Sequence, residues 1–138
     1  MAGDCVFCKI VAGEIPCAKI YEDEDLLAFL DVGPVSEGHT LVIPKRHFEK
    51  LHECPAELIA AIGSQLGRIA EAVVETVNCD GYNVLCNVSR AAGQLVDHVH
   101  FHIIPRTESD GIFSKWPGGK YKKSRMEEIA SVIRENLL

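Results

Sequence analysis

Three histidines stand at strict two-residue intervals within residues 97–106. Because side chains alternate across a strand, an extended conformation places His98, His100 and His102 on one face, with neighbouring imidazoles about 6.5 to 7 Å apart, and sends the apolar residues between them to the other face. Residues i, i+2 and i+4 do not share a helix face, so a strand is predicted. A row of groups that titrate near neutral pH suits chemistry on an anion.

Three interpretations of this row are open from the residues alone. Alternate histidines could hold one zinc ion, or one imidazole could attack an electrophile while its neighbours stabilise the developing charge. The third interpretation is a solvated polar face of a strand. The chain has only six histidines in 138 residues, and three of them fall within five positions, which favours a chemical role.

Residues 98–104 alternate three histidines with apolar residues, and further characteristic blocks occur at residues 5–10, 15–16, 27–31, 38–45, 87 and 93–94. In this order the blocks resemble the histidine triad family of nucleotide hydrolases and transferases. The likeness covers about residues 4 to 106. It implies an α+β, HIT-like fold with a five-stranded antiparallel sheet, a long helix and a C-terminal helix.

The resemblance also assigns roles to individual residues. His100 is expected to be the nucleophile, and His102 and His39 are expected to donate hydrogen bonds to the phosphate. Asp31 is expected to accept hydrogen bonds from a ribose, beside an apolar slot for the base. For each apolar member, ordinary core packing is the alternative. The expected nucleotide-binding residues are Val6, Phe7, Ile10, Phe29, Asp31, Val32, Asn87, Gly93, Gln94, Leu95, Val96, His100 and His102.

A second group of candidate ligands begins with Cys5 and Cys8, whose spacing supplies half of a tetrahedral metal site and is a weak signal alone. By resemblance to zinc-containing members of the family, His47 and His98 complete a structural Zn²⁺ site. No catalytic metal is expected. The alternative is that two reduced cysteines only pack. The other four cysteines are expected to be small, partly buried thiols.

The remaining elements must position these residues. Two strands are predicted at residues 18–21 and 26–30, a third at 40–43 and a fourth at 82–87. From Pro55 to Asn78, apolar residues recur every three or four positions, which predicts one long helix. Ser124 and Glu127 match a capping box for a last helix, whose apolar face is expected to dock. Residues 107–123 are interpreted as an irregular segment, either crossing to a partner subunit or serving as a connector.

Length and charge limit the protein class. Residues 1–138 are expected to form one domain, with a core at 4–106 and a C-terminal extension at 107–138. The net charge of −6 argues against sequence-blind binding to nucleic acid. The sequence shows neither a signal peptide nor an apolar run of membrane-spanning length, so a cytoplasmic protein without a membrane partner is expected. Gly63 and Gly67 on the broad apolar helix predict a homodimer, to which the resemblance adds a joined ten-stranded sheet.

The resulting hypothesis is an enzyme that hydrolyses the P–N bond of purine nucleoside 5'-phosphoramidates through a nucleotidyl-histidine intermediate and releases an AMP-like product. Hydrolysis of dinucleoside polyphosphates is one alternative. A nucleotide-binding adaptor with weak catalysis is another, and a catalytic zinc centre on the histidine row is a third. Leu95 stands where related hydrolases often carry a serine or threonine that contacts the phosphate or the leaving group. The loss of this hydroxyl affects the expected preference for a leaving group, and not nucleotide binding.

Overall fold

The computed structural model describes residues 2–113 and 115–138. Met1 and Ser114, which the predicted domain includes, lie outside the described residues. Short 3₁₀ turns occupy Ala2–Asp4, Leu51–Glu53 and Arg90–Ala92. The main elements in chain order are α1 (Val6–Val11), β1 (Lys19–Glu22), β2 (Leu26–Leu30), β3 (Thr40–Pro44), α2 (Ala56–Val77), β4 (Gly81–Leu85), β5 (Phe101–Arg106) and α3 (Arg125–Leu137).

The strands form one antiparallel sheet in the order β1-β2-β3-β5-β4. The register places Leu41 of β3 opposite both Phe29 of β2 and His102 of β5. Residues that are directly opposite each other in a sheet share a face. The second half of the histidine row is therefore held on the same face as the apolar residues of the central strands. The predicted α+β class, with its five-stranded antiparallel sheet and two helices, is confirmed.

Each face of the sheet has its own hydrophobic cluster because buried residues alternate along the central strands. The face under α2 carries Leu26, Ala28, Val42 and Ile103 against Leu58, Ile62, Ile69, Ala70 and Val73. The opposite face packs under α1 and consists of Cys5, Phe7, Leu27, Phe29, Leu41 and Ile43. The histidine row lies on this second face, which α1 covers only in part.

The long helix α2 has the ends that its sequence predicts. Pro55 precedes the first helical residue, where a missing N–H costs nothing. Asn78 adopts a left-handed conformation with φ of 54°, and its N–H donates to the carbonyl of Val74. Asparagine tolerates this conformation better than most residues, so it ends the helix.

The histidine strand starts later than predicted, because regular pairing with β3 begins only at Phe101. Residues 98–100 are held by other bonds. The N–H of Val99 donates to the carbonyl of Phe48, and the ring of His98 bonds the carbonyl of Pro44 at 2.8 Å. A backbone bond outside the sheet and a side-chain bond therefore replace the sheet ladder along this stretch. Strand β4 likewise ends at Leu85 instead of residue 87.

The C-terminal helix begins at Arg125 as predicted, but the predicted capping box is wrong. Ser124 has φ of 67° and its hydroxyl makes no capping bond, while Glu127 bonds Arg134 instead. The predicted docking of the helix is also wrong within this chain, since Val132 is 53% exposed and Leu137 is 80% exposed.

Within the described residues, no helix has both the length and the apolar character needed to cross a lipid bilayer. The cytoplasmic location stays a prediction.

Gly38 precedes β3 at a position that only glycine fits. Its φ is +92°, and a Cβ there would lie 2.9 Å from Cγ1 of Val77 and 3.3 Å from Cγ of Pro105. We expect Gly38→Ala to lower the free energy of unfolding by about 2 to 4 kcal/mol, because strain and overpacking add. Urea denaturation measures the change. Gly119→Ala, where a Cβ meets nothing within 4 Å, is the control. Equal stability of the two variants would contradict the prediction.

Candidate active site and metal site

A cavity of about 370 Å³ opens on the sheet face that carries the histidine row. It lies between α1, the segment after α1, the end of β2 and the loop before β5. Its walls include every predicted nucleotide-binding residue except Asn87 and Gln94. The lining residues are Val6, Phe7, Ile10, Ile15, Pro16, Cys17, Phe29, Leu30, Asp31, Val32, Leu41, Gly93, Leu95, Val96, His100 and His102.

One end of the cavity is an apolar slot. Phe7 of α1 and Phe29 of β2 meet edge to face there, with ring centroids 5.7 Å apart. Val32 is fully exposed and stands at the mouth. An apolar slot with aromatic walls suits an aromatic base, which can pack against an aromatic face while the mouth leaves its edge in water.

Five lining residues were not predicted. Ile15 and Pro16 belong to a block of the family resemblance, and Leu41 lies opposite Phe29 in the sheet, so a strand register would have found it. Leu30 lies in the resemblance block 27–31, whereas Cys17 carries no sequence signal for the site. Their place in the wall depends on how the chain turns between α1 and β1 and at the end of β2.

His100 is oriented by the backbone of its own segment. Its Nδ1 lies 2.7 Å from the carbonyl oxygen of His98. A carbonyl only accepts hydrogen bonds, so Nδ1 carries the proton and Nε2 of the neutral ring keeps a free lone pair. The residue is only 5% exposed yet lines the cavity, and burial lowers the pKa of His100 below its ordinary value. The arrangement supplies an uncharged nitrogen nucleophile.

His39 and His102 form a directed hydrogen-bond chain. The N–H of Val35 donates to Nδ1 of His39 at 3.0 Å, so the proton of the neutral His39 ring is on Nε2. That Nε2 lies 2.9 Å from Nδ1 of His102 and donates to it. The neutral His102 ring therefore carries its own proton on Nε2. His102 becomes a hydrogen-bond donor on the cavity wall.

His39 itself stands behind His102 and not on the cavity wall. It is 3% exposed, and both of its ring nitrogens have partners within the protein. Burial lowers the pKa of His39, against the opposing charge of Asp31. The sequence predicts a direct contact of His39 with the phosphate, whereas its position favours an effect exerted through His102.

Asp31 follows the last residue of β2 and lies at the cavity wall. Its Oδ1 accepts the N–H of Gly33 at 2.8 Å, and its Oδ2 lies 3.7 Å from Nε2 of His39. Ligand atoms of Asp31, His39 and His102 lie within 4.8 Å of one another. The proton chain argues against a cation there, because Nε2 of His39 is a donor and not a lone pair. The carboxylate remains available for hydroxyl donors in the cavity.

Gln94 and Asn87 do not face the cavity. The Gln94 side chain is buried, accepts the N–H of Ser89 at 2.8 Å and donates to the carbonyls of Glu49 and Val96. It therefore fixes the loop and has no group left for a ligand. Asn87 lies beside Gly93, since a Cβ on that glycine would be 3.6 Å from its Nδ2. Gln94 shapes the site from behind.

The loop before β5 also presents backbone amides. The N–H groups of Gly93 and Gln94 donate to the carbonyls of Arg90 and Ser89, so they are used within the loop. In the part of the chain that the structure describes, the amides of Leu95 and Val96 have no such partner. Leu95 is 78% exposed at the rim of the cavity.

Cys5, Cys8, His47 and His98 converge on one point, as predicted, and form a possible metal site. Nδ1 of His98 lies 3.4 Å from the sulfur of Cys5, 3.6 Å from that of Cys8 and 3.2 Å from Nδ1 of His47. A tetrahedron with ordinary Zn–S and Zn–N bonds has S···N edges of about 3.6 Å and N···N edges of about 3.3 Å. The donor set and its spacing fit that ion.

The surroundings of these four residues favour a cation. His98 presents Nδ1 to the cluster because its Nε2–H donates to the carbonyl of Pro44, which is the orienting bond that metal-bound histidines usually have. Burial, followed by the neighbouring Cys5, raises the pKa of the Cys8 thiol to about 11. At neutral pH the Cys8 sulfur therefore keeps its proton unless a positive charge is held beside it.

His102 is predicted to stay neutral across the physiological pH range. Burial first, then His100 and His39, lowers its pKa to about 4. The unfolded chain binds the proton more tightly, so the contribution of His102 to stability is present above about pH 6.5 and is lost as the pH falls towards 4. We expect the Cε1–H NMR signal of His102, assigned with His102→Asn, to titrate near pH 4. His52→Asn, which removes an exposed histidine, is the control and should leave the His102 signal in place. A midpoint near 6.5 would contradict the prediction.

A family model and curated relatives match most of this chain. The family model described as HIT domain matches residues 12–109. An adenosine 5'-monophosphoramidase of Schizosaccharomyces pombe is 46% identical, over 94% of this chain and 98% of the relative. An adenylylsulfatase of Arabidopsis thaliana is also 46% identical, over 99% of this chain and 71% of the relative.

Solved structures agree with the fold. A HIT family protein of Bacillus subtilis has a TM-score of 0.91 at 44% identity and covers 98% of each chain. A zinc-bound histidine triad family protein of Mycobacterium smegmatis has a TM-score of 0.76 at 37% identity, over 99% of this chain and 98% of that one. The matched domain, the cavity on the histidine face and these relatives together place the chain in the HIT domain family, the histidine triad family that its sequence resembles.

Proposed function

We propose that this chain hydrolyses purine nucleoside 5'-phosphoramidates to a nucleoside monophosphate and an amine. The observation that carries the proposal is the bond from Nδ1 of His100 to the carbonyl of His98, which leaves the lone pair of Nε2 for the cavity. A neutral nitrogen beside a slot for a base and a carboxylate for a ribose fits attack on the α-phosphorus of a nucleotide. The names of the relatives from yeast and plant support the substrate class.

The first step is attack of Nε2 of His100 on the α-phosphorus, which forms a new P–N bond to the ring and breaks the bond to the leaving nitrogen. That nitrogen departs as an amine after it takes up a proton from water at the open rim beside Leu95. The Nδ1–H of His100 still donates to the His98 carbonyl, which stabilises the positive charge of the adduct. Water then cleaves the P–N bond to the ring and releases the nucleotide.

Charge on the phosphoryl oxygens is met by groups that the fold already orients. Nε2–H of His102 donates to one oxygen, and the amides of Leu95 and Val96 donate to another. Such preorganised donors act without a reorganisation cost. His39 is a positioning residue in this scheme, since it fixes the proton of His102 without touching substrate. Asp31 accepts from the ribose hydroxyls, and Val6, Phe7, Ile10, Phe29 and Val32 hold the base.

That the chain is an enzyme follows from relatives at 40 to 46% identity that carry hydrolase names. Hydrolysis of dinucleoside polyphosphates is the alternative substrate class, and the exposed apolar rim at Leu95 bears on it because the leaving group lies at that side. Turnover of adenosine phosphoramidate should exceed that of diadenosine tetraphosphate. The reverse order would favour the alternative.

His100→Ala is expected to lower kcat/KM for adenosine phosphoramidate by about 10³-fold or more, because no other group replaces the nucleophile. AMP affinity should change less than about 10-fold, since the base and ribose contacts remain. Quenching the wild-type reaction in base and mapping the adduct by mass should locate it on residue 100. His52→Ala is the matched control with unchanged activity. An active His100→Ala variant, or an adduct elsewhere, would contradict the mechanism.

We also propose that Zn²⁺ occupies the site of Cys5, Cys8, His47 and His98 and has a structural role. The support is the tetrahedral spacing of the donors and a zinc-bound relative. The purified protein should contain about one zinc per chain, as the ion closes a single four-ligand site. Cys8→Ser should lose most of the zinc and lower Tm, whereas Cys54→Ser should keep both. Full zinc content in Cys8→Ser, measured by mass spectrometry of the metal, would contradict the site.

The exposed apolar face of α3, together with exposed Tyr82 and Val84 on the edge strand β4, supports a proposed homodimer. A second copy of the chain would cover these residues and could join two sheets at β4. Sedimentation should give a mass of two chains. Val84→Lys on the edge strand should shift it towards one, because an edge lysine opposes strand pairing. A monomeric wild type would contradict the proposal.

A further inference from the structure

Helix α1 takes part in two sites at once. Cys5 and Cys8 belong to the metal cluster, while Val6, Phe7 and Ile10 form a wall of the cavity. We propose that metal binding fixes α1 and thereby raises the affinity of the cavity for a nucleotide, although no metal ligand lines the cavity. The nucleotide part of this inference rests on the proposed function. The metal would then control substrate binding as well as stability.

Phe7 is the physical link between the two sites. Its ring meets His98, a metal ligand, at 5.8 Å between centroids and His100 at 5.2 Å, in both cases edge to face. It also meets Phe29, the second aromatic ring of the base slot, edge to face. Only 6% of Phe7 is exposed, so the ring is wedged between these three neighbours. Movement of α1 away from His98 necessarily withdraws this wall and uncovers His100.

Besides the metal cluster, α1 is held by apolar contacts. The helix has six residues, Phe7 is its one buried side chain, and Ile10 and Val11 are partly buried against the same cluster. Isolated helices of this length are unstable in water, because the free-energy cost of ordering the first turn exceeds the gain from its few hydrogen bonds. Its N-terminal bond runs from the N–H of Cys8 to the sulfur of Cys5, which is itself a metal ligand. Without a cation, thiol–imidazole contacts of 3.3 to 3.6 Å are the remaining polar ties of the two cysteines to the histidines.

A second connection runs through the backbone. The metal ligand His98 accepts, through its carbonyl oxygen, the bond that orients His100. The same residue is anchored at Pro44 through its other ring nitrogen. Fixing the ring of His98 therefore also limits movement of the carbonyl that faces His100. Both connections act in the same direction, so we expect metal to favour the nucleotide-binding conformation.

By thermodynamic linkage, the effect of zinc on nucleotide affinity must be reciprocal. If zinc raises the affinity for AMP by some factor, AMP must raise the affinity for zinc by the same factor. We expect a factor of about 10, within the range usual for coupled sites. Two independent titrations therefore measure one quantity, and neither is a measurement of catalytic activity.

The test compares the full chain loaded with Zn²⁺ and the same chain after chelation. Calorimetric titration with AMP should give about 10-fold weaker binding after chelation. Hydrogen exchange should become faster at residues 6–11 and remain unchanged in α2. Cys86→Ser, at a cysteine outside both sites, should behave as wild type. Equal AMP affinity and equal exchange of α1 in the two states would overturn the inference.

Two further results separate the possible failures. No AMP binding by the zinc-loaded chain would overturn the proposed function. The exchange data need no nucleotide, so they would still decide whether the metal fixes α1. Faster exchange in both α2 and α1 after chelation would show global unfolding. It would overturn the claim that the metal fixes α1 locally. Phe7→Leu should bring the ratio of AMP affinities with and without zinc towards one. An unchanged ratio in that variant would overturn the role of Phe7.

Discussion

The candidate active site depends on one hydrogen bond, from Nδ1 of His100 to the backbone carbonyl of His98. A neutral imidazole has one proton and one lone pair, and fixing the proton on one nitrogen fixes the lone pair on the other. The bond therefore decides that the nitrogen left for the cavity has a lone pair and not a proton, as the proposed nucleophile requires. A backbone acceptor suits this task because it cannot titrate.

Other contacts of the fold position the His98 carbonyl and its neighbours. Residues 98–100 lie outside the regular ladder, and their position is set by bonds to Phe48 and Pro44 and by the packing of Phe7. A parallel logic fixes His102, whose proton is directed to the cavity by His39 and the amide of Val35. The two cavity-lining histidines thus have opposite roles, one with a lone pair on Nε2 and the other with a proton there. Backbone groups, which cannot change protonation, set both.

The sequence predicted much of this arrangement because its signals are local. The alternation of the histidines with apolar residues, the helical period after Pro55 and the capping role of Asn78 reflect backbone geometry within a few residues. The four candidate metal ligands also converge as predicted, although they are up to 93 residues apart in the chain. For those the family resemblance supplied what spacing alone does not, since half of a ligand set does not identify the other half.

Properties that depend on tertiary contacts could not be predicted. The place of His39 behind His102 follows from the register of β3 with β5, and the burial of Gln94 follows from its bonds to three separate backbone groups. The capping box at Ser124 failed because a sequence match does not determine the backbone conformation at the cap. The apolar face of α3 was expected to dock, and sequence periodicity does not show which surface covers a helix.

The tautomer of His100 tests the central claim most directly. Nitrogen-15 NMR of the zinc-loaded protein at neutral pH, with residue 100 assigned through His100→Gln, distinguishes protonated from unprotonated ring nitrogens. The account predicts a neutral ring with the proton on Nδ1 and a free Nε2. A proton on Nε2 instead, or a doubly protonated ring, would contradict it, since the nitrogen at the cavity would then have no lone pair for the phosphorus.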